Sequence, residues 1–252
     1  MKKEEKRGKH RSAVKMTSTS VKEDKYRPLL HQDIEKNTKW RYGPPNYEAV
    51  NKLFEEGRTK VWPPGSLEEK VQSIVKHWEM EMFHKLDFQE NRSVDPEKYT
   101  FSLNGSKDIN LAEKRKLGGG YIPLLQTSLP EKLRPYNPYA ETADSAHKAF
   151  TTTFPRGFAL EILQVYSGPP QIVYKFRHWG FMEGPFKGHA PTGEKIELYG
   201  MAIFTLDENS KIVKVEFFYD PAELLGGLLK GAEFEGSAED AGASCPVLRN
   251  TG

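Results

Sequence analysis

The chain has 252 residues, with 37 Lys and Arg against 35 Asp and Glu for a net charge of +2. Its 37% apolar content is low for a globular protein, but 14 Phe, 11 Tyr and 4 Trp exclude a wholly disordered polymer and can furnish one sizeable core. The single cysteine, Cys245, excludes an intramolecular disulfide framework, and no apolar run approaches the ~18–20 residues of a membrane-spanning helix.

The first 25 residues hold nine Lys or Arg and four acids, a net +5, whereas residues 231–252 hold four acids and Arg249, a net −3. The stretch between them is neutral, so it lacks the net basic character of a nucleic-acid-binding domain. The ends read as a disordered basic tail over 1–25 and a flexible acidic tail over 231–252, flanking one domain over 26–230. No apolar run follows Met1-Lys2-Lys3 as in a secretory signal, and Glu4 and Glu5 argue against a transit peptide. A cytoplasmic or nuclear protein that is not secreted is expected, with Met16 as an alternative start.

Within the domain, Asn46 is placed to cap a helix through about Glu56, with Val50, Leu53 and Phe54 on one face and Gly57 as its stop. Ser66-Leu67-Glu68-Glu69 is a capping box that opens a helix through about His84, whose core face carries Val71, Ile74, Val75, Trp78 and Met82. Residues 85–135 are punctuated at 91–95, at Asn104-Gly105 and at 118–120. They read as an irregular insertion with one short helix near 121–127. Asn137-Pro138 starts a further helix with Ala143, Ala146, Phe150 and Phe154 on its buried face.

The hydrophobic period then changes from 3.6 to 2. Residues 158–166, 172–182, 194–206 and 211–219 read as four strands joined by short links, which makes an antiparallel meander. Asp220-Pro221-Ala222-Glu223 caps a closing helix through about Lys230. The layout is α+β, with a curved antiparallel sheet wrapped around the N-terminal helices, and its concave face can enclose a pocket.

Gly184-Pro185-Phe186-Lys187-Gly188-His189-Ala190-Pro191-Thr192-Gly193-Glu194-Lys195-Ile196-Glu197-Leu198, followed by Lys211-Ile212 and Asp220-Pro221, resembles the second half of the SnoaL-like polyketide-cyclase family. That family lies within the nuclear-transport-factor-like superfamily. More broadly, residues 25–231 resemble the pathogen-related proteins of plants. The segments that carry this are Asn46-Tyr47, Lys52-Leu53-Phe54-Glu55-Glu56-Gly57-Arg58-Thr59, Trp78-Glu79-Met80-Glu81, His84-Lys85, Ser167-Gly168-Pro169-Pro170 and Phe176-Arg177-His178-Trp179-Gly180, with Cys245-Pro246 beyond them. The resemblance implies a cone-shaped α+β fold with an apolar cavity, and an association with defence responses. It implies no single reaction, because the superfamily hosts isomerases, dehydratases, cyclases and non-catalytic binders on one scaffold. The cyclase family carries an acid/base carboxyl at the end of its last strand, and Asp220 occupies the matching place. The sequence departs from that family's Gln-rich ending, since Leu224-Leu225-Gly226-Gly227-Leu228-Leu229 holds no Gln.

The catalytic candidates are Asp220, His178 and Glu81. Asp220 is also a helix cap, whose hydrogen bonds depress a carboxyl pKa where a base needs it raised. His178 keeps step with Ile172, Tyr174 and Phe176, so it either projects into the cavity as a donor or acid or is a buried imidazole bonded to a carbonyl. Glu81 borders the apolar stripe beside Trp78 and Ile74, where desolvation raises a carboxyl pKa; the other reading pairs it with His84 or an arginine. Trp78, Met82, His84, His147, Tyr174 and Phe176 are the ligand-binding candidates, and in a hollow cone their core and binding roles merge.

Glu81 and His84 resemble half of a carboxylate di-iron site without a second pair, and 118–120 lacks the Lys-Ser/Thr of a phosphate loop, so neither metal nor cofactor is expected. Cys245 has no His–Asp partner nearby in sequence. Three functions stand open. One is a binder of a hydrophobic small molecule; another is a cofactor-independent cyclase, isomerase or dehydratase acting on a carbonyl-bearing plant metabolite. The third is a non-catalytic scaffold that forms a homodimer through the sheet. No nucleic-acid or membrane partner is expected.

Overall fold

The computed structural model describes residues 23–36, 38–117, 125, 127, 129–134 and 136–234. The terminal stretches 1–22 and 235–252, with Met16 and Cys245, lie outside the described residues, as do 118–120 and most of the short helix expected near 121–127. The chain opens with helix α1 (Leu30–Glu35), followed by α2 (Glu48–Gly57) and α3 (Leu67–His84). The starts of α2 and α3 are written locally. Asn46 Oδ1 accepts the Glu48 amide at 2.8 Å, and Ser66 Oγ accepts the Glu69 amide at 3.2 Å. The Glu69 carboxylate then bonds the Gly65 amide rather than that of Ser66, so the reciprocal half of the box closes one residue early.

The stretch expected to be an irregular insertion holds more regular structure among its described residues than one short helix. It contains strands β1 (Thr100–Leu103) and β2 (Ile109–Asn110) and helix α4 (Leu111–Lys116). Asn104 and Gly105, at φ 50° and 71°, form the centre of a turn closed by the Ser106 amide on the Leu103 carbonyl at 2.9 Å. A four-residue strand offers too little alternation to stand out, and the partner that stabilises β1 lies far along the chain. The helix expected from Asn137 also starts later. Pro138–Ala140 is a single 3-10 turn, and α5 (Ala143–Thr153) begins at a reciprocal box between Thr142 and Ser145, with bonds of 3.1 and 2.9 Å.

Strands β3 (Ala159–Ser167), β4 (Gln171–Phe181), β5 (Lys195–Leu206) and β6 (Ile212–Phe218) form the expected meander, and α6 (Pro221–Leu228) closes it. The six-stranded sheet has the order β2-β1-β6-β5-β4-β3. Its β1–β6 pair is parallel, with Phe101 opposite Val215, so the sheet is mixed and not wholly antiparallel. Asn104 clasps that edge, donating to the Tyr219 carbonyl at 2.8 Å and accepting the Tyr219 amide at 3.0 Å. The architecture is α+β, with helices packed against an open, curved sheet.

The main core joins Val71, Val75 and Trp78 of α3 to Ile162, Tyr174, Phe204 and Val215 of the sheet. A second cluster of Tyr26, Leu53, Phe54, Ala159 and Trp179 seats α2 on the β3–β4 edge. Gly57 permits that approach, because a Cβ there would stand 2.8 Å from Trp179 Nε1. Among the described residues no helix is long and apolar enough to cross a membrane.

Candidate functional site

Helix α3 presents two polar flanks. At 100° per residue, Glu79 and Glu81 lie at opposite edges of its apolar stripe, about 160° apart. His77 and Lys85 fall near Glu81, whereas Lys76 and Phe83 fall near Glu79. The two carboxylates therefore enter different environments.

Glu81 is fully buried in an ionic knot. Its Oε1 accepts from Lys85 Nζ at 2.8 Å and from the Arg92 amide at 2.6 Å, and its Oε2 accepts from the Ser93 amide at 2.9 Å and from the Ser93 hydroxyl. Lys85 Nζ also pairs with Asp33 Oδ2 at 2.9 Å and donates to the Glu90 carbonyl at 2.9 Å, while Arg92 holds Asp33 Oδ1 at 2.9 Å. Burial pushes the Glu81 pKa up, but His77, Lys85 and Ser93 together hold it far below the usual carboxylate range. The raised pKa expected for Glu81 is thus reversed, and its ionic partner is Lys85 rather than His84. Asp33, His77 and Glu81 could each offer a metal-ligand atom within 4.8 Å of the others, yet the cation between the two carboxylates is the Lys85 ammonium.

The other flank opens on a cavity of about 300 Å³. Its walls are Phe54 of α2, Trp78 and Phe83 of α3, and Phe150 and Phe154 of α5; its floor includes Phe101, Phe176, Leu198 and Phe217 of the sheet. Gly200 stands opposite Phe176, and a Cβ there would lie 2.5 Å from the Phe176 ring. Bare backbone at Gly200 is what lets that ring lie across β5.

Into this apolar space project His178, Glu79, Lys76, His84, His147 and Lys114. His178 stacks on Phe158 at 5.4 Å and meets Phe176 edge-on at 5.5 Å. Its Nδ1 has no hydrogen-bond partner among the described residues. Burial lowers its pKa to about 4, against the pull of the Ala159 carbonyl and with help from the Lys76 charge, so the imidazole is neutral at pH 7. Burial likewise lowers His84 to about 4, reinforced by His147, Arg27 and Arg41. His147 is lowered by burial and stacks on Tyr42 at 3.8 Å.

Glu79 is half-buried on the cavity wall, and no hydrogen bond or ion pair holds it among the described residues. Burial raises its pKa against the attraction of Arg27 and Lys76. Lys76 Nζ lies over the rings of Phe54 and Tyr26, at 3.3 and 4.1 Å from their centroids, and burial lowers its pKa strongly.

Of the expected site residues, Trp78, His84, His147, Phe176 and His178 line one cavity. Met82, Tyr174, Glu81 and Asp220 are outside its lining. Met82 accepts from Asn91 Nδ2 at 3.6 Å through its sulfur, and Tyr174 packs edge-on against Phe204 at 5.4 Å in the core. Asp220 is exposed and caps α6 through the Ala222 amide at 2.9 Å, so the chain turns its side chain out even though the preceding Tyr219 faces the cavity.

Glu79, Lys76 and Lys114 are among the cavity groups that the sequence reading passed over, as are Arg27 and Arg156. A signal for Glu79 was present. Val75, Glu79 and Phe83 form one i, i+4, i+8 row, in which a carboxylate interrupts two apolar residues.

No family model matches the chain. A protein of Hordeum vulgare named "Pathogen-related protein" is 50% identical over 237 residues, covering 93% of this chain and 99% of that one. A solved structure from Jannaschia sp. CCS1, provisionally named a SnoaL-like polyketide cyclase, is 14% identical with a TM-score of 0.38, covering 69% of this chain and 99% of that one. An NTF2-like protein of Burkholderia thailandensis is 10% identical with a TM-score of 0.32, covering 54% and 78%. An M. tuberculosis LEH-like epoxide hydrolase is 12% identical with a TM-score of 0.34, covering 66% and 90%. At these scores the solved structures transfer no chemistry.

Proposed function

This chain belongs to the pathogen-related protein family, and we propose that it binds a hydrophobic small molecule in the cavity beside α3. The observation that carries the reading is an aromatic-walled space of about 300 Å³ containing ionisable groups that the described residues leave unpaired. Burying such groups in a solid core costs several kcal/mol, whereas a ligand with one or two polar atoms can satisfy them. The volume sits at the low end of the ~300–1,000 Å³ of small-molecule sites, which favours a compound of one or two rings. The barley relative's name motivates a place for this binding in the response to pathogens.

The test is a thermal-shift screen of phenolic and terpenoid compounds against the wild type and Leu198→Trp, which fills the floor. A compound at a hundred times its Kd should stabilise the wild type by about 2.7 kcal/mol and leave the filled variant unmoved. Equal shifts in both proteins, or none in either, would overturn the reading.

One feature favours a second, enzymatic reading in the same cavity: Glu79 is an unpaired carboxyl with a raised pKa, and neutral His178 shares its space. Glu79 would take the proton α to a carbonyl and His178 would donate to the developing enolate oxygen, the roles first expected of Asp220 or Glu81 with His178. Glu79→Gln and His178→Ala would each lower turnover roughly 10²–10⁴-fold while remaining folded. Turnover unchanged in both, followed by mass spectrometry of products, would eliminate the mechanism.

A further inference from the structure

We propose that Lys114 is a nucleophilic amine that captures a carbonyl-bearing ligand of the cavity as an imine. The proposal rests on the cavity being a ligand site. Lys114 lies on α4 with only 6% of its surface exposed, and it lines the cavity. Its Nζ is 4.8 Å from the ring centre of Phe101, 5.7 Å from Trp78 and 5.9 Å from Tyr99. Among the described residues, no carboxylate or carbonyl bonds it. The buried Lys85 differs, with its two carboxylates and a backbone carbonyl. Lys76 differs as well, because its Nζ lies against the faces of two rings at 3.3 and 4.1 Å. Lys114 alone of the three has neither a counter-ion among the described residues nor so close a ring contact, and it borders the open space.

Aromatic rings attract an ammonium, but at these distances they do not replace its hydration. Burial therefore brings the Lys114 pKa from 10.5 down to about 8. Near neutral pH roughly two orders of magnitude more of it stands as free amine than for a lysine in water. An amine desolvated in an apolar pocket is the form that attacks carbonyls.

In the step, the nitrogen lone pair attacks the carbonyl carbon as the C=O π electrons move to oxygen. A proton passes from nitrogen to that oxygen, and the carbinolamine loses its hydroxyl with the second nitrogen proton as water. A C=N bond replaces C=O with no net oxidation. The ligand class is an aldehyde or unhindered ketone on an aromatic or terpenoid skeleton.

The full-length chain is incubated with cinnamaldehyde and sodium cyanoborohydride at pH 7.5, and labelled peptides are mapped by mass spectrometry. The reduced adduct is expected on Lys114 at least ~10-fold faster than on any exposed lysine, absent from Lys114→Arg and slowed by excess cinnamyl alcohol. Thermal shift with cinnamyl alcohol, which forms no imine, tests the cavity separately. Stabilisation by the alcohol without labelling of Lys114 overturns the imine and leaves the binding site standing; no stabilisation and no labelling overturns both. Labelling concentrated on Lys76 or spread over surface lysines also overturns the assignment. The site map in the wild type decides these outcomes even if the arginine variant fails to fold.

Discussion

The two flanks of α3 use similar residues for opposite ends. On one, Glu81, Lys85, Asp33 and Arg92 close a knot in which each charge meets an opposite charge within 3 Å. On the other, Glu79, Lys76, His178 and Lys114 border a common cavity with no ion pair among them. A closed knot of this kind specifies how the loop after α3 returns past α1, since only one arrangement satisfies every member. Unpaired groups around open space specify nothing about the fold and raise its energy. Their retention is understandable if something else uses them, and that contrast is the physical basis for placing function on the Glu79 side.

The contrast can be broken most severely at Glu81. Its replacement by Ala removes one of the two carboxylates that Lys85 pairs with and takes the acceptor from the Arg92 and Ser93 amides, and should cost about 3–5 kcal/mol in urea unfolding, while Glu79→Gln, at a carboxyl that burial already disposes toward protonation, should cost less than ~1 kcal/mol. Similar losses at the two positions would erase the distinction between the flanks.

Lys114→Met should move stability the other way. The folded chain holds this amine at about 8 and the unfolded chain near 10.5, so between those values the unfolded state binds more protons and stability rises with pH. The methionine variant should therefore be more stable by up to about 3 kcal/mol below pH 8, with the advantage fading to nothing by pH 10.5. Unfolding curves at pH 7, 9 and 10.5 measure it, and a gap that ignores pH would mean that Lys114 has a partner in the folded chain. The smallest effect belongs to Asp220→Ala. Loss of the α6 cap should cost about 1 kcal/mol and leave ligand-induced stabilisation intact; a lost ligand response would return Asp220 to the site.

Much of the fold was legible because its cues are local. The Ser66 cap, the α3 stripe and the change to period 2 at β3 each depend on neighbours within a few residues, and their boundaries fell within one or two positions. Strand β1 was not legible: Thr100–Leu103 is a strand because β6 supplies its hydrogen-bond ladder from the other end of the domain. Pro138 misled in the opposite sense, since a favourable first position yielded a single turn and the Thr142–Ser145 box, four residues on, set the start of α5.

The site divides along the same line. Sequence alone determined the α+β layout, placed His178 on the apolar side of β4 and put an acidic group at each edge of the α3 stripe, because strand alternation and helical pitch are properties of the backbone. Only the tertiary structure decided that Glu81 would join Lys85 and Asp33 while Glu79 came to line a cavity shared with Phe54 and His178. It also turned Asp220 outward as a cap and carried Lys114 inward. A side chain's ionisation and reactivity follow from what surrounds it in three dimensions, and those surroundings come from segments that periodicity within one segment cannot register.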